Sequence, residues 1–125
     1  MKLSGITADT GFLIGLERQK QRAIDLYSYS LAQRLRISVP VAVIAEWWRG
    51  GRRQAQLLKL LAPEEMTERI AMNAGEAIAA VPGATVVDAI VMASAAARGG
   101  VVYTSDFDDL SQLRAHFREV RVLTV

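Results

Sequence analysis

The spacing of apolar positions divides the chain into alternating short strands and helices. LSGITA, Leu3 to Ala8, predicts a first strand, and from about Phe12 the apolar residues Phe12, Leu13, Leu16, Ile24, Leu31 and Leu35 recur at helical spacing, with a break near Arg18 to Gln21 that splits the region into two helices. RISVP, Arg36 to Pro40, predicts a second strand, and Pro40 suits the first turn of the next helix, VAVIAEWWRGG, which Gly50 and Gly51 close. A further helix runs from about Arg52 to Leu61 and ends before Pro63, and Thr67 is placed to cap another that runs to Ala80. After a turn at Pro82 and Gly83, DAIVMASAAARGG predicts an alanine-rich helix stopped by Gly99 and Gly100, with side chains small enough to pack closely on a sheet. VVYTS then reads as a strand, DLSQLRAHFREV as a helix and VRVLTV as a terminal strand, whereas Glu64 to Met66 is too polar to assign. Such alternation predicts an α/β sandwich built on a parallel sheet.

Length and composition fit one domain: 125 residues, 51% of them hydrophobic, bury a substantial core without disulfides. The absence of cysteine excludes disulfides, thiolate metal sites and cysteine nucleophiles. No uncharged stretch approaches the length of a membrane span, and the beginning of the chain meets Asp9 before a signal-peptide core develops, so the expected setting is cytoplasmic and away from membranes. The net charge is only +2, yet nine of the fifteen basic residues lie between Arg18 and Lys59, a distribution that suits either an anionic partner or simple solubility.

The polar residues that interrupt the apolar pattern carry the candidate chemistry. In open parallel sheets the working site lies beyond the carboxyl ends of the strands. Asp9 follows the first strand, Asp106 follows VVYT, Asp88 opens the alanine-rich helix, and Glu46 interrupts an otherwise apolar helix. Taken singly, each aspartate also suits a helix cap and Glu46 an outward position. Taken together, four carboxylates at one edge repel one another unless a cation binds them, and all-oxygen ligation favours Mg²⁺ or Mn²⁺ over zinc. Ions of this kind serve phosphoryl chemistry.

ADTGFLIGLE, then VPVAVIAEWWRGG, then VVDAIVMASAAARGGVVYTSDFDDLSQL together resemble the PIN-domain ribonucleases and, within them, the VapC-type toxins of bacterial toxin–antitoxin pairs. The resemblance spans nearly the whole chain and rests most on the small-residue helix that runs through Gly-Gly into a strand ending TSD. It implies a three-layer α/β/α sandwich with a central parallel sheet, with Asp9, Glu46, Asp88 and Asp106 at the acidic metal-binding and catalytic positions. Thr10 and Thr104 match hydroxyls that line such sites, and the ligand after the late strand is Asp106, Asp109 or both, while Asp108 suits a solvent-facing cap. The implied activity is Mg²⁺-dependent hydrolysis of RNA by a metal-activated water, leaving 5′-phosphate and 3′-hydroxyl ends. The implied partners are an RNA substrate, a small antitoxin and a second copy of the chain.

Two other classes make different demands. A receiver-type signalling domain needs a lysine after a late strand, and no lysine follows Lys59. A catalytically silent PIN-like scaffold would have lost acidic positions, and none of the four is missing; a housekeeping RNA-processing nuclease would keep them. The single histidine, His116, cannot supply the acid and base pair of a metal-independent ribonuclease. Trp47 and Trp48 point about 100° apart on a helix, which places one in the core and leaves the other for a dimer or antitoxin contact. The arginines of RGGRR, Arg49 to Arg53, suit either RNA phosphates or the dipole at a helix C-terminus.

Overall fold

The computed structural model describes residues 5–98, 100–105 and 107–124. Five strands form one fully parallel sheet in the order β3-β2-β1-β4-β5. In chain order the elements are β1 (Ile6–Ala8), α1 (Thr10–Glu17), α2 (Gln21–Ala32), β2 (Ile37–Pro40), α3 (Val41–Trp47), α4 (Arg52–Leu58), β3 (Ala62–Glu64), α5 (Glu68–Ala80), α6 (Val86–Arg98), β4 (Val101–Thr104), α7 (Phe107–Leu113) and β5 (Arg121–Thr124). Connections leaving β1 step toward β3, while those leaving β3 and β4 step the other way. With right-handed crossovers, this reversal puts α1 to α4 on one face and α5 to α7 on the other. The result is the three-layer, PIN-like α/β/α sandwich.

Burial explains why the central strands read as continuous apolar runs. Every residue of β1, β2 and β4 is buried, because helices cover both faces, whereas the edge strands β3 and β5 are largely accessible. Helix α6 is buried at every position from Ala89 to Ala95, since it lies on the sheet beneath α5 and α7. Its alanines permit that approach. Phe12, Leu13, Val39, Val43, Val91 and Met92 are fully buried between these layers, and each contributes about 1.5–3 kcal/mol from removal of its side chain from water.

Most expected elements are present, with shifted boundaries. Strand β3 occupies Ala62–Glu64, overlapping the unassigned segment Glu64 to Met66 at Glu64 alone, and it accommodates Pro63 because it is an edge strand paired only with β2. Helix α3 ends at Trp47, before Gly50 and Gly51, because buried Gln54 donates its amide to the Trp47 carbonyl at 2.9 Å and accepts the Arg49 N–H at 2.8 Å. Pro40 ends β2 and stands just ahead of α3 as its cap residue. The expected break after α1 is a Schellman turn in which Lys20 N donates to Gly15 O (2.8 Å) and Gln19 N to Leu16 O (3.1 Å), with Gln19 left-handed at φ 55°. Arg34, at φ 56°, makes the same turn after α2. The last helix stops at Leu113 rather than continuing to Val120. Leu3 and Ser4 of the expected first strand, Gly99 of the glycine stop and Val125 of the terminal strand lie outside the described residues. Among the described residues no helix is long and apolar enough to cross a membrane.

A left-handed backbone costs a non-glycine residue about 1–2 kcal/mol, partly offset on replacement by the greater freedom of glycine in the unfolded chain. Arg34→Gly is therefore expected to raise stability by about 0.5 kcal/mol, and a lower melting temperature would show that the Arg34 side chain contributes more than its backbone costs.

Candidate functional site

The topological switch point of the sheet lies between β1 and β4, whose carboxyl ends face the same edge. Asp9 is the first residue beyond β1. It caps α1 by accepting the Phe12 N–H at 2.9 Å on one carboxylate oxygen, while the Thr104 hydroxyl at the end of β4 donates to the other. At 3% exposure, Asp9 is a buried carboxylate gripped by two elements. The cap and the site are one arrangement.

Thr10 donates its hydroxyl to Glu46 at 2.5 Å, so the acid that interrupts the apolar α3 is directed at the start of α1 while remaining accessible to solvent. Its neighbour Trp47 turns into the core, and its indole N–H meets Glu17 at 3.0 Å; Trp48 stays 38% exposed. The two tryptophans divide as their helical angle requires.

Asp88 lies two residues inside α6 rather than at its opening. Thr85 is the cap, accepting the Asp88 N–H at 3.1 Å, so the Asp88 side chain is not needed for that role. It projects from the first turn, where a negative charge complements the helix dipole. Asp106 lies outside the described residues. Asp108 and Asp109 are both exposed in the first turn of α7. Among the described residues, no three acidic or histidine side chains are grouped so as to hold a metal ion. What the fold brings together is Asp9 with Thr104, and Thr10 with Glu46, at consecutive positions of one turn.

Gly11 favours this closeness. A Cβ there would stand 3.1 Å from the backbone N of Ser105 and collide with the Ser105 hydroxyl, so a side chain would make that hydroxyl rotate away and the end of β4 give by a few tenths of an ångström. Gly11→Ala should cost about 1–3 kcal/mol through overpacking. An unchanged melting temperature would show that the β4 end yields freely.

Several features had no sequence signal strong enough to find them. Glu17 takes hydrogen bonds from Trp47 and, at 3.4 Å, from Gln54, tying α1, α3 and α4 together. Arg98, near the end of α6, pairs with Glu64 of β3 and donates to buried Thr7. Burial lowers the Arg98 pKa, with Arg36 adding to the effect, and burial raises that of Tyr103 against the opposing bond to Ser30. Arg52 and Arg53 stand in the first turn of α4, where the dipole opposes a cation by about 0.3–1 kcal/mol each, so complementing a helix C-terminus does not explain them. Arg49 does meet a helix end, through a 2.6 Å bond to the Trp48 carbonyl. His116 is exposed, beside the ring of Phe117.

No protein-family model and no curated protein sequence matches the chain. Solved structures do match its fold, among them chains from two VapBC crystal structures. One is from VapBC2 of Rickettsia felis bound to a DNA fragment from their promoter, with a TM-score of 0.76, 10% identity, and coverage of 96% of this chain and 98% of that one. Another is from DNA-bound VapBC of Salmonella typhimurium, with a TM-score of 0.74, 13% identity and 98% coverage of both chains. At such low identity the likeness is one of fold, and it agrees with the PIN-like architecture that the residues resemble.

Proposed function

We propose that the chain is the toxin of a toxin–antitoxin pair and acts as a divalent-metal-dependent endoribonuclease. The observation that carries this reading is the buried Asp9 carboxylate, held at the switch point by the Phe12 N–H and the Thr104 hydroxyl, with Glu46 turned toward the same turn by Thr10. Full-length likeness in fold to chains of VapBC complexes supports it. Carboxylates and hydroxyls are hard oxygen donors, a set that fits Mg²⁺ or Mn²⁺. Asp9, Glu46, Asp88 and Asp106 are the residues assigned to hold the ion. When bound, it would neutralise the phosphodiester and lower the pKa of a water. Asp9 is fixed before any ion arrives, because its hydrogen bonds limit rotation. The Thr10 hydroxyl orients Glu46 in the same way, and the basic segment from Arg18 to Lys59 attracts RNA to this half of the molecule.

The antitoxin and a second copy of the chain are the proposed partners. Leu16, Tyr27, Leu57, Leu60 and Leu61 line an apolar groove, and Leu60 is 59% exposed, a surface that an apolar antitoxin segment would cover. Expression alone should be toxic or yield poorly soluble protein, and co-expression with the product of the adjacent gene should relieve both. A harmless, soluble protein that captures no partner would favour a silent scaffold or a housekeeping nuclease. For the chemistry, purified protein incubated with total RNA should cut it in Mg²⁺ or Mn²⁺ and stop on addition of chelator, leaving 5′-phosphate ends. Undiminished cutting in excess chelator would exclude the metal mechanism.

A further inference from the structure

Beside the carboxylates lies a cavity of about 200 Å³ lined by Gly11, Gly15, Lys20, Arg22, Ala23 and Ser105. It begins one residue away from the site on both sides, since Gly11 follows Thr10 and Ser105 follows Thr104. Close packing of α1 on α2 gives it a floor almost without side chains: a Cβ on Gly15 would come within 3.0 Å of the Ala23 Cβ. Its rim carries two cations and a hydroxyl, and no acidic side chain is among its described lining residues. The Schellman turn after α1, with Gln19 held left-handed, sets Lys20 at the cavity's edge. Arg22 is anchored by its Nε to the Thr124 carbonyl at 2.9 Å, and the nearby Asp25 is taken by Gln21 at 2.7 Å. A negative turn therefore adjoins a small basic recess. Such a pairing suits a polyanion whose cleaved phosphodiester lies at the carboxylates while its next phosphate needs a cationic seat.

We propose that this recess is the subsite for the ribose and phosphate of the nucleotide flanking the cleaved bond of single-stranded RNA, with Lys20 and Arg22 on the phosphate and the Gly11–Gly15–Ala23 floor under the sugar. The assignment rests on reading the carboxylate turn as an RNA-cutting site. Binding is tested apart from cutting by fluorescence anisotropy in chelator, with a labelled short single-stranded RNA of mixed sequence, titrated at several salt concentrations. The proteins are the parent, Lys20→Gln, Lys20→Gln with Arg22→Gln, and a control with Arg69→Gln and Arg118→Gln, which removes the same charge elsewhere.

Each lost phosphate contact should reduce the slope of log affinity against log salt by about 0.7, so Lys20→Gln loses about one such step and the double variant about two, while the control changes little. Lys20→Gln should melt with the parent, because its side chain is exposed and has no described ion pair. The subsite is overturned if Lys20→Gln retains the parental slope, if the control loses as much as the double variant, or if the parent shows no salt-dependent RNA binding. A parent that binds RNA with the predicted slopes but cuts none in Mg²⁺ or Mn²⁺ would leave the subsite standing and refute the nuclease.

Discussion

Asp9→Asn is expected to abolish RNA cleavage while leaving the fold intact, and Asp9→Ala to damage both. In the parent, one Asp9 oxygen caps the Phe12 N–H and the other accepts the Thr104 hydroxyl, and Asp9 itself is only 3% exposed. Asparagine retains a carbonyl for the cap, and its amide faces a threonine hydroxyl that can reverse to accept, so the hydrogen bonds survive while the charge is lost. Alanine removes the cap and orphans a buried N–H, which together should cost about 2–3 kcal/mol. Melting curves in chelator beside a cleavage assay check both variants. An Asp9→Asn protein that cuts RNA at the parental rate would reduce Asp9 to a structural cap.

The second large effect is expected from Asp88→Asn, and its sign is informative. Thr85 caps α6, so capping is untouched, and a purely structural Asp88 would contribute its interaction with the helix dipole, about 0.3–1 kcal/mol, together with its contacts within the fold. On that view the variant melts slightly lower than the parent in chelator. If Asp88 shares a site with Asp9, Glu46 and Asp106, removing one charge relieves repulsion worth up to about 3 kcal/mol at about 5 Å and an effective dielectric near 20, and the metal-free variant melts at the parental temperature or above it. Stabilisation by added Mg²⁺ should shrink, since a ligand stabilises the native state according to its affinity. Cleavage should fall by orders of magnitude. Parental cutting together with parental Mg²⁺ stabilisation would remove Asp88 from the site and, with it, most of the case for a metal-dependent nuclease.

Much of the architecture could be read from local pattern. The apolar runs of β1, β2 and β4 announce strands covered on both faces, and the alanines of α6 announce a helix pressed on a sheet, because both signals depend only on side-chain size and burial. Thr67 caps α5 as expected, accepting the Ile70 N–H at 3.1 Å. Boundaries were less legible where distant groups decide them. Gln54 ends α3 early, and the turns at Gln19 and Arg34 stop helices without the glycine that usually marks such a turn, since packing of the following element fixes the backbone there. β3 is defined by its pairing with β2 more than by its own composition. The arginines of α4 changed meaning once the structure put them at a helix start.

The expected chemistry also comes from the sequence, because carboxylates in a cysteine-free chain with one histidine point to hard cations. Local pattern thus carries the elements, the α/β class and a set of candidate oxygen donors. Which of those donors meet is a matter of the tertiary fold. Thr104 reaches Asp9 across 95 residues of chain, and Glu46 reaches Thr10 across 36, because the strand order places β4 beside β1 and α3 packs on α1. Pattern along a chain reports burial, which is a property of each residue; the meeting of distant side chains depends on crossovers and packing that no local period encodes.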